Sequence, residues 1–109
     1  MRCCYSGSMR DIGRADLLKE LAALQPILER EGVLHMQLFG SRARGDNRAD
    51  SDVDVLIDVD PDRKFSLFDM AGVYGHIEDR IGLESSVVVR RYTPDDFIDR
   101  ILSEAIPVF

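Results

Sequence analysis

Asp52 and Asp54 stand two residues apart at the head of the run Asp52-Val53-Asp54-Val55-Leu56-Ile57, and ten residues separate them from the pair Gly40-Ser41. Side chains alternate faces along a strand, so both carboxylates point one way while Val53, Val55 and Ile57 point the other, into a core. At about 6 Å apart, two carboxylates repel by about 0.7 kcal/mol in water and about 3 kcal/mol at an effective dielectric of 20. A hard divalent cation with oxygen ligands would remove that cost. On the other side, an apolar segment ending in Gly40-Ser41 leaves backbone N–H groups free to meet an anion, with Ser41 as the N-cap of one helical turn. A metal beside a phosphate is the chemistry these residues allow. Asp50, Asp58, Asp60 and Asp62 bring the acids to six within thirteen residues. The acids alone would also fit solvated charges on an edge strand, where they discourage aggregation.

Three look-alike motifs fail on physical grounds. A calcium loop starting at Asp50 would put Val55 where glycine must turn and Pro61 where a bidentate glutamate must ligate. A phosphate loop from Gly40 to Gly45 is followed by Asp46-Asn47, not by the lysine and hydroxyl residue that hold phosphate and magnesium. Phosphohydrolases and glycosyltransferases with Asp-x-Asp usually carry it after the apolar strand, whereas here it precedes Val55-Leu56-Ile57. His35 and His76 have no partner at metal spacing and read as structural.

The elements that must position these residues follow from periodicity. Leu17, Leu18, Leu21, Leu24, Ile27 and Leu28 predict an amphipathic helix over 14–30, with a kink or an early last turn at Pro26 and a stop at Gly32. A strand over 33–39 and a second over 51–59 flank the Arg-rich loop. The stripe Leu67, Met70, Ala71, Tyr74, Ile77 and Ile81 predicts a helix over 66–81, capped by Ser66 and ended by Gly82. Gly72 and Gly75 weaken it by about 1 kcal/mol each relative to Ala, which close packing against another element would explain. A third strand covers 85–89, and a last helix covers 94–105 with Asp95 and Asp96 at its positive end. The order is that of one α/β layer sandwich, a small mixed sheet packed by helices.

The chain of 109 residues is long enough for a single core, with residues 1–10 expected as a tail and 11–109 as the domain. A net charge of −6 argues against a large nucleic-acid surface, because such binding needs clustered Lys and Arg. Cys3 and Cys4 are adjacent and give no disulfide framework, which fits a reducing cytoplasm. No apolar run approaches the roughly 20 residues of a membrane helix.

Gly40-Ser41, ten residues, then Asp52-Val53-Asp54 resembles the signature of the DNA polymerase β-like nucleotidyltransferase superfamily. The likeness extends to FGSRARGDNRADSDVDVLID, to SLFDMAGVYGHIEDRIG and to RILSEAIPVF, and the whole looks like a minimal nucleotidyltransferase (MNT). The resemblance implies transfer of a nucleoside monophosphate from a triphosphate held by Gly40 and Ser41. Arg42 and Arg44 would add positive charge there, and Asp52 and Asp54 would serve catalysis by holding two Mg²⁺ ions. Proteins of this kind include antitoxins implied to move AMP from ATP to a tyrosine of a helical HEPN-family toxin. One residue departs from the pattern: the third carboxylate, expected on the strand after the long helix, aligns with Ser86, and Glu84 on the same face is its possible substitute. Because a neutral hydroxyl is no general base, this departure implies weakened transfer or a module that neutralises its partner by binding.

Overall fold

The computed structural model describes residues 12–48 and 51–109; the expected tail, Cys3, Cys4 and Asp50 lie outside the described residues. Helices α1 (Arg14–Ala22) and α2 (Gln25–Arg30) precede strand β1 (Val33–Phe39), and a single turn α3 (Ser41–Arg44) leads to β2 (Val53–Val59). Helix α4 (Leu67–Ile81), β3 (Ser85–Val89), a 3-10 turn (Arg90–Tyr92), α5 (Asp95–Leu102) and β4 (Ile106–Pro107) complete the order. The four strands form one mixed sheet ordered β3-β2-β1-β4, with β1 antiparallel to both neighbours and β2 parallel to β3.

The sheet is covered on both faces. Val53, Val55 and Ile57 are fully buried, as the alternation requires, against Leu17 and Leu21 of α1, Leu28 of α2 and Val73, Ile77 and Ile81 of α4. Val33, Met36 and Leu38 join them because a bulge shifts the register between Val33 and His35. Without that extra residue Val33 and Met36 would point to opposite faces. On the other face Leu56 packs with Ile98 and Ile101 of α5, flanked by Phe39, Val88 and Ala105. Asp54 and Ser86 share this second face, since they alternate with buried Val53, Val55 and Val87.

Local chemistry explains most boundaries. Ser66 caps α4 through a reciprocal capping box with Asp69, worth about 1 kcal/mol in such settings. Gly82 closes the helix in the left-handed conformation, φ 80°. The single helix expected over 14–30 is two: Pro26 lies in the first turn of α2, where its missing N–H breaks nothing, and Ala23-Leu24 form the joint. The last helix spans less than 94–105, because Pro94 is its N-cap and the chain turns at Ser103 to begin β4. Gly72 does mark a close approach, since a Cβ there would lie 2.9 Å from Glu31 Oε1, but Gly75 has open space and nothing in the structure explains it. Tyr92 is 63% exposed, its hydroxyl donating to the Phe65 carbonyl at 3.4 Å.

β4 has the largest consequence for the site. Leu38 pairs with Ile106, and two residues further along this antiparallel register Gly40 meets Glu104. Among the described residues no helix is long and apolar enough to cross a membrane.

Candidate active site

Gly40 ends β1 with φ 78° and ψ −159°, a conformation essentially reserved for glycine. It is the N-cap of α3, so the cap expected from the Ser41 side chain does not form, and Ser41 is the first helical residue. The Gly40 carbonyl accepts from the N–H groups of Ala43 and Arg44, and Gly45 closes the turn at φ 88°.

Asp54 lies directly against Gly40. A Cβ on Gly40 would sit 2.2 Å from Asp54 Oδ2, so the glycine leaves the space in which the carboxylate stands. Phe39 pairs with Asp54 across β1–β2, which fixes this approach by sheet register. Burial first, then the Asp52 charge and more weakly Glu104, push the Asp54 carboxyl above its ordinary value, while Arg44 opposes them. Asp52 lies just outside β2 and is exposed. A half-buried carboxylate held beside an exposed one that repels it fits a hard cation. Among the described residues no group of three or more His, Cys, Asp or Glu side chains is arranged for a metal, so Asp52 and Asp54 would share the cation with phosphate or water oxygens, the usual manner of Mg²⁺.

The two arginines separate. Arg44 is exposed and donates from Nη1 to Glu104 Oε1 at 3.0 Å and Oε2 at 3.1 Å, and from Nε to Asp46 at 3.1 Å. Those bonds, Asp46 first and Glu104 second, hold its guanidinium further above the usual arginine value. Arg42 is 2% exposed and donates to the carbonyls of Ser51 at 3.0 Å and Arg48 at 3.4 Å. It braces the loop that delivers Asp52, whereas sequence predicts a charge that meets the phosphates directly.

Parallel pairing places Ser86 beside Asp54. Glu84 is exposed, and its carbonyl accepts from Val53 N–H at 2.9 Å, which sets the start of that register. Glu104, absent from the sequence-based site, accepts from Gly40 N–H at 2.9 Å as well as from Arg44. Its one trace in the sequence is the apolar run Ile106-Pro107-Val108-Phe109, which does not by itself distinguish a short strand from the end of a helix.

Comparison with known proteins agrees with this geometry. The family described as polymerase beta, nucleotidyltransferase matches residues 22–109. A Methanocaldococcus jannaschii protein provisionally named a protein adenylyltransferase is 34% identical over 83 residues, covering 76% of this chain and 87% of that protein. A structure described as a minimal nucleotidyltransferase superposes with TM-score 0.77 at 30% identity, over 89% of this chain and 97% of the other. The fold also recurs, at TM-score 0.65 and 9% identity, in the structure of a tri-AMPylated Shewanella oneidensis HEPN toxin in complex with MNT antitoxin, over 88% of this chain and 71% of that one. The chain therefore belongs to the polymerase β nucleotidyltransferase family, as one of its minimal members, and is a nucleotidyltransferase.

Proposed function

We propose that this nucleotidyltransferase moves AMP from ATP to a protein acceptor, a tyrosine of a HEPN-family partner, and acts as that partner's antitoxin. One observation supports the reading: Asp54 stands directly against Gly40, so the turn that would seat phosphate and the carboxylate that would hold a cation share one corner. The names of the relatives supply the direction, since one is provisionally named a protein adenylyltransferase and another structure holds an AMPylated HEPN toxin in complex with MNT antitoxin. A cytoplasmic location belongs to the same reading.

In the reaction the acceptor oxygen attacks the α-phosphorus in line, a new P–O bond forms, the bond to the β-phosphate oxygen breaks, and pyrophosphate leaves. Mg²⁺, when bound, neutralises phosphate charge. Asp52 and Asp54 would hold it, Gly40 and Ser41 would seat the triphosphate, and Arg44 would meet its outer charge. Arg42 would act indirectly, by fixing the loop before Asp52. With Ser86 paired to Asp54, β3 supplies no carboxylate there to take the acceptor's proton, which would pass to solvent water. A tyrosine hydroxyl, with an ordinary pKa near 10, needs that help far less than an aliphatic alcohol does.

A second reading, in which the chain neutralises its partner by binding and transfers slowly, is favoured by the same Ser86 pairing. Incubation with α-labelled ATP, Mg²⁺ and the purified partner separates the two. Label on a partner tyrosine is expected, and Ser86→Asp should raise the transfer rate by about tenfold, less than the roughly 10²–10⁴-fold a general base contributes because a tyrosine acceptor needs it less. A tight complex with no label on the partner, in the wild type and in Ser86→Asp, would remove the transfer reading.

A further inference from the structure

Two of the groups assigned to phosphate, the Gly40 N–H and the Arg44 guanidinium, are engaged by one internal anion. Glu104 Oε2 accepts from Gly40 N at 2.9 Å, and Arg44 Nη1 lies 3.0 and 3.1 Å from the two carboxylate oxygens. The register of β4 on β1 sets this meeting, because Leu38–Ile106 pairing leads directly to Gly40 and Glu104. The contact also brings a second negative charge toward Asp54, which already stands against the same glycine. A carboxylate has the charge and oxygen donors of a phosphate group, and it cannot share the single Gly40 N–H with one.

We infer that Glu104 is an internal stand-in for phosphate, a carboxylate plug that the triphosphate must displace from Gly40 and Arg44 before it can bind. The inference rests on the assignment of this corner to the triphosphate. Room for the displaced side chain exists. Glu104 also borders an open groove of about 350 Å³ lined by Phe39, Phe97, Arg100, Ile101 and Ser103, where Arg100 offers a second cation. The side chain is only partly covered, at 30% exposure, so leaving Gly40 demands no repacking of the core. Affinity for nucleotide then falls by the fraction of molecules in which the plug is seated, as for any site whose competent state is partly populated.

Calorimetric titration of wild type, Glu104→Gln and Glu104→Ala with Mg²⁺–ATP and with Mg²⁺–tripolyphosphate tests this. Glu104→Ala should bind both about tenfold more tightly than wild type, corresponding to a plug seated in roughly nine molecules of ten. Glu104→Gln, which keeps an acceptor for Gly40 but loses the charge facing Arg44, should fall between. Circular dichroism and thermal melting establish that each variant is folded, and Glu104→Gln serves alone should the alanine variant fail to fold. Unchanged or weaker binding in a folded variant would overturn the plug and make Glu104 a positioning residue for Gly40 and Arg44. Absence of tripolyphosphate binding in all three proteins would overturn both the plug and the phosphate site. Tighter binding without transfer to any partner would sustain the plug and remove only the protein-acceptor reading.

Discussion

Asp54→Asn is expected to lower nucleotidyl transfer by at least about a thousandfold, on the order of 4 kcal/mol of transition-state stabilisation, while leaving the fold as stable as the wild type or more so. The two effects share one cause. Burial and the neighbouring Asp52 charge make an ionised Asp54 costly, and a neutral amide of the same shape ends that cost together with the ability to hold a cation. The pH dependence has a definite sign. The folded state binds the Asp54 proton more tightly than the unfolded state, so this group stabilises the protein at low pH and the contribution is lost as pH rises through the raised value. Stability of the asparagine variant relative to wild type should therefore increase from acid toward neutral pH. Denaturant unfolding at a series of pH values measures it, beside a radiolabel transfer assay. A variant both inactive and less stable at neutral pH would mean that Asp54 holds the fold and not the chemistry.

Gly40→Ala should be the second severe substitution. The added Cβ meets Asp54 Oδ2 at 2.2 Å, and the φ of 78° with ψ of −159° is strained for any L side chain. Strain of this kind costs about 1–3 kcal/mol, and relieving the overlap must move Asp54 or the end of β1. ATP affinity should fall by about a hundredfold, because about 2.7 kcal/mol of misplacement is lost from binding. Most of β1 lies away from the clash, so the protein should remain folded, with a lower melting temperature. Calorimetry with Mg²⁺–ATP and a melting curve check the pair of effects. An alanine variant that binds as wild type would show that the close approach of Gly40 to Asp54 has no bearing on the ligand.

The sequence carried the local features and missed those that depend on a distant strand. Gly40-Ser41 and Asp52-x-Asp54 were visible because strand alternation and a turn are properties of a few adjacent residues. Their meeting follows from the Phe39–Asp54 pairing. Ser86 was matched to the third-carboxylate position through the family resemblance, and the parallel pairing of β3 with β2 sets it beside Asp54. Glu104 could not be placed, since β4 is two residues long and one of them is Pro107, which periodicity cannot distinguish from the end of a helix. The burial of Arg42 was hidden for a related reason, since only the folded loop brings the carbonyls of Arg48 and Ser51 to its guanidinium. Pro26 was seen as a kink within one helix, although its place in the first turn of α2 makes it a start signal and not a defect.

The central claim is that Gly40, Asp52 and Asp54 form a metal-dependent triphosphate site. Titration of the wild-type chain with ATP in the presence and absence of Mg²⁺, set beside Asp54→Asn under the same conditions, tests it most directly. Binding that requires Mg²⁺ and disappears in the variant is the predicted result. Binding indifferent to both Mg²⁺ and Asp54, or none by a folded wild-type chain, would contradict it.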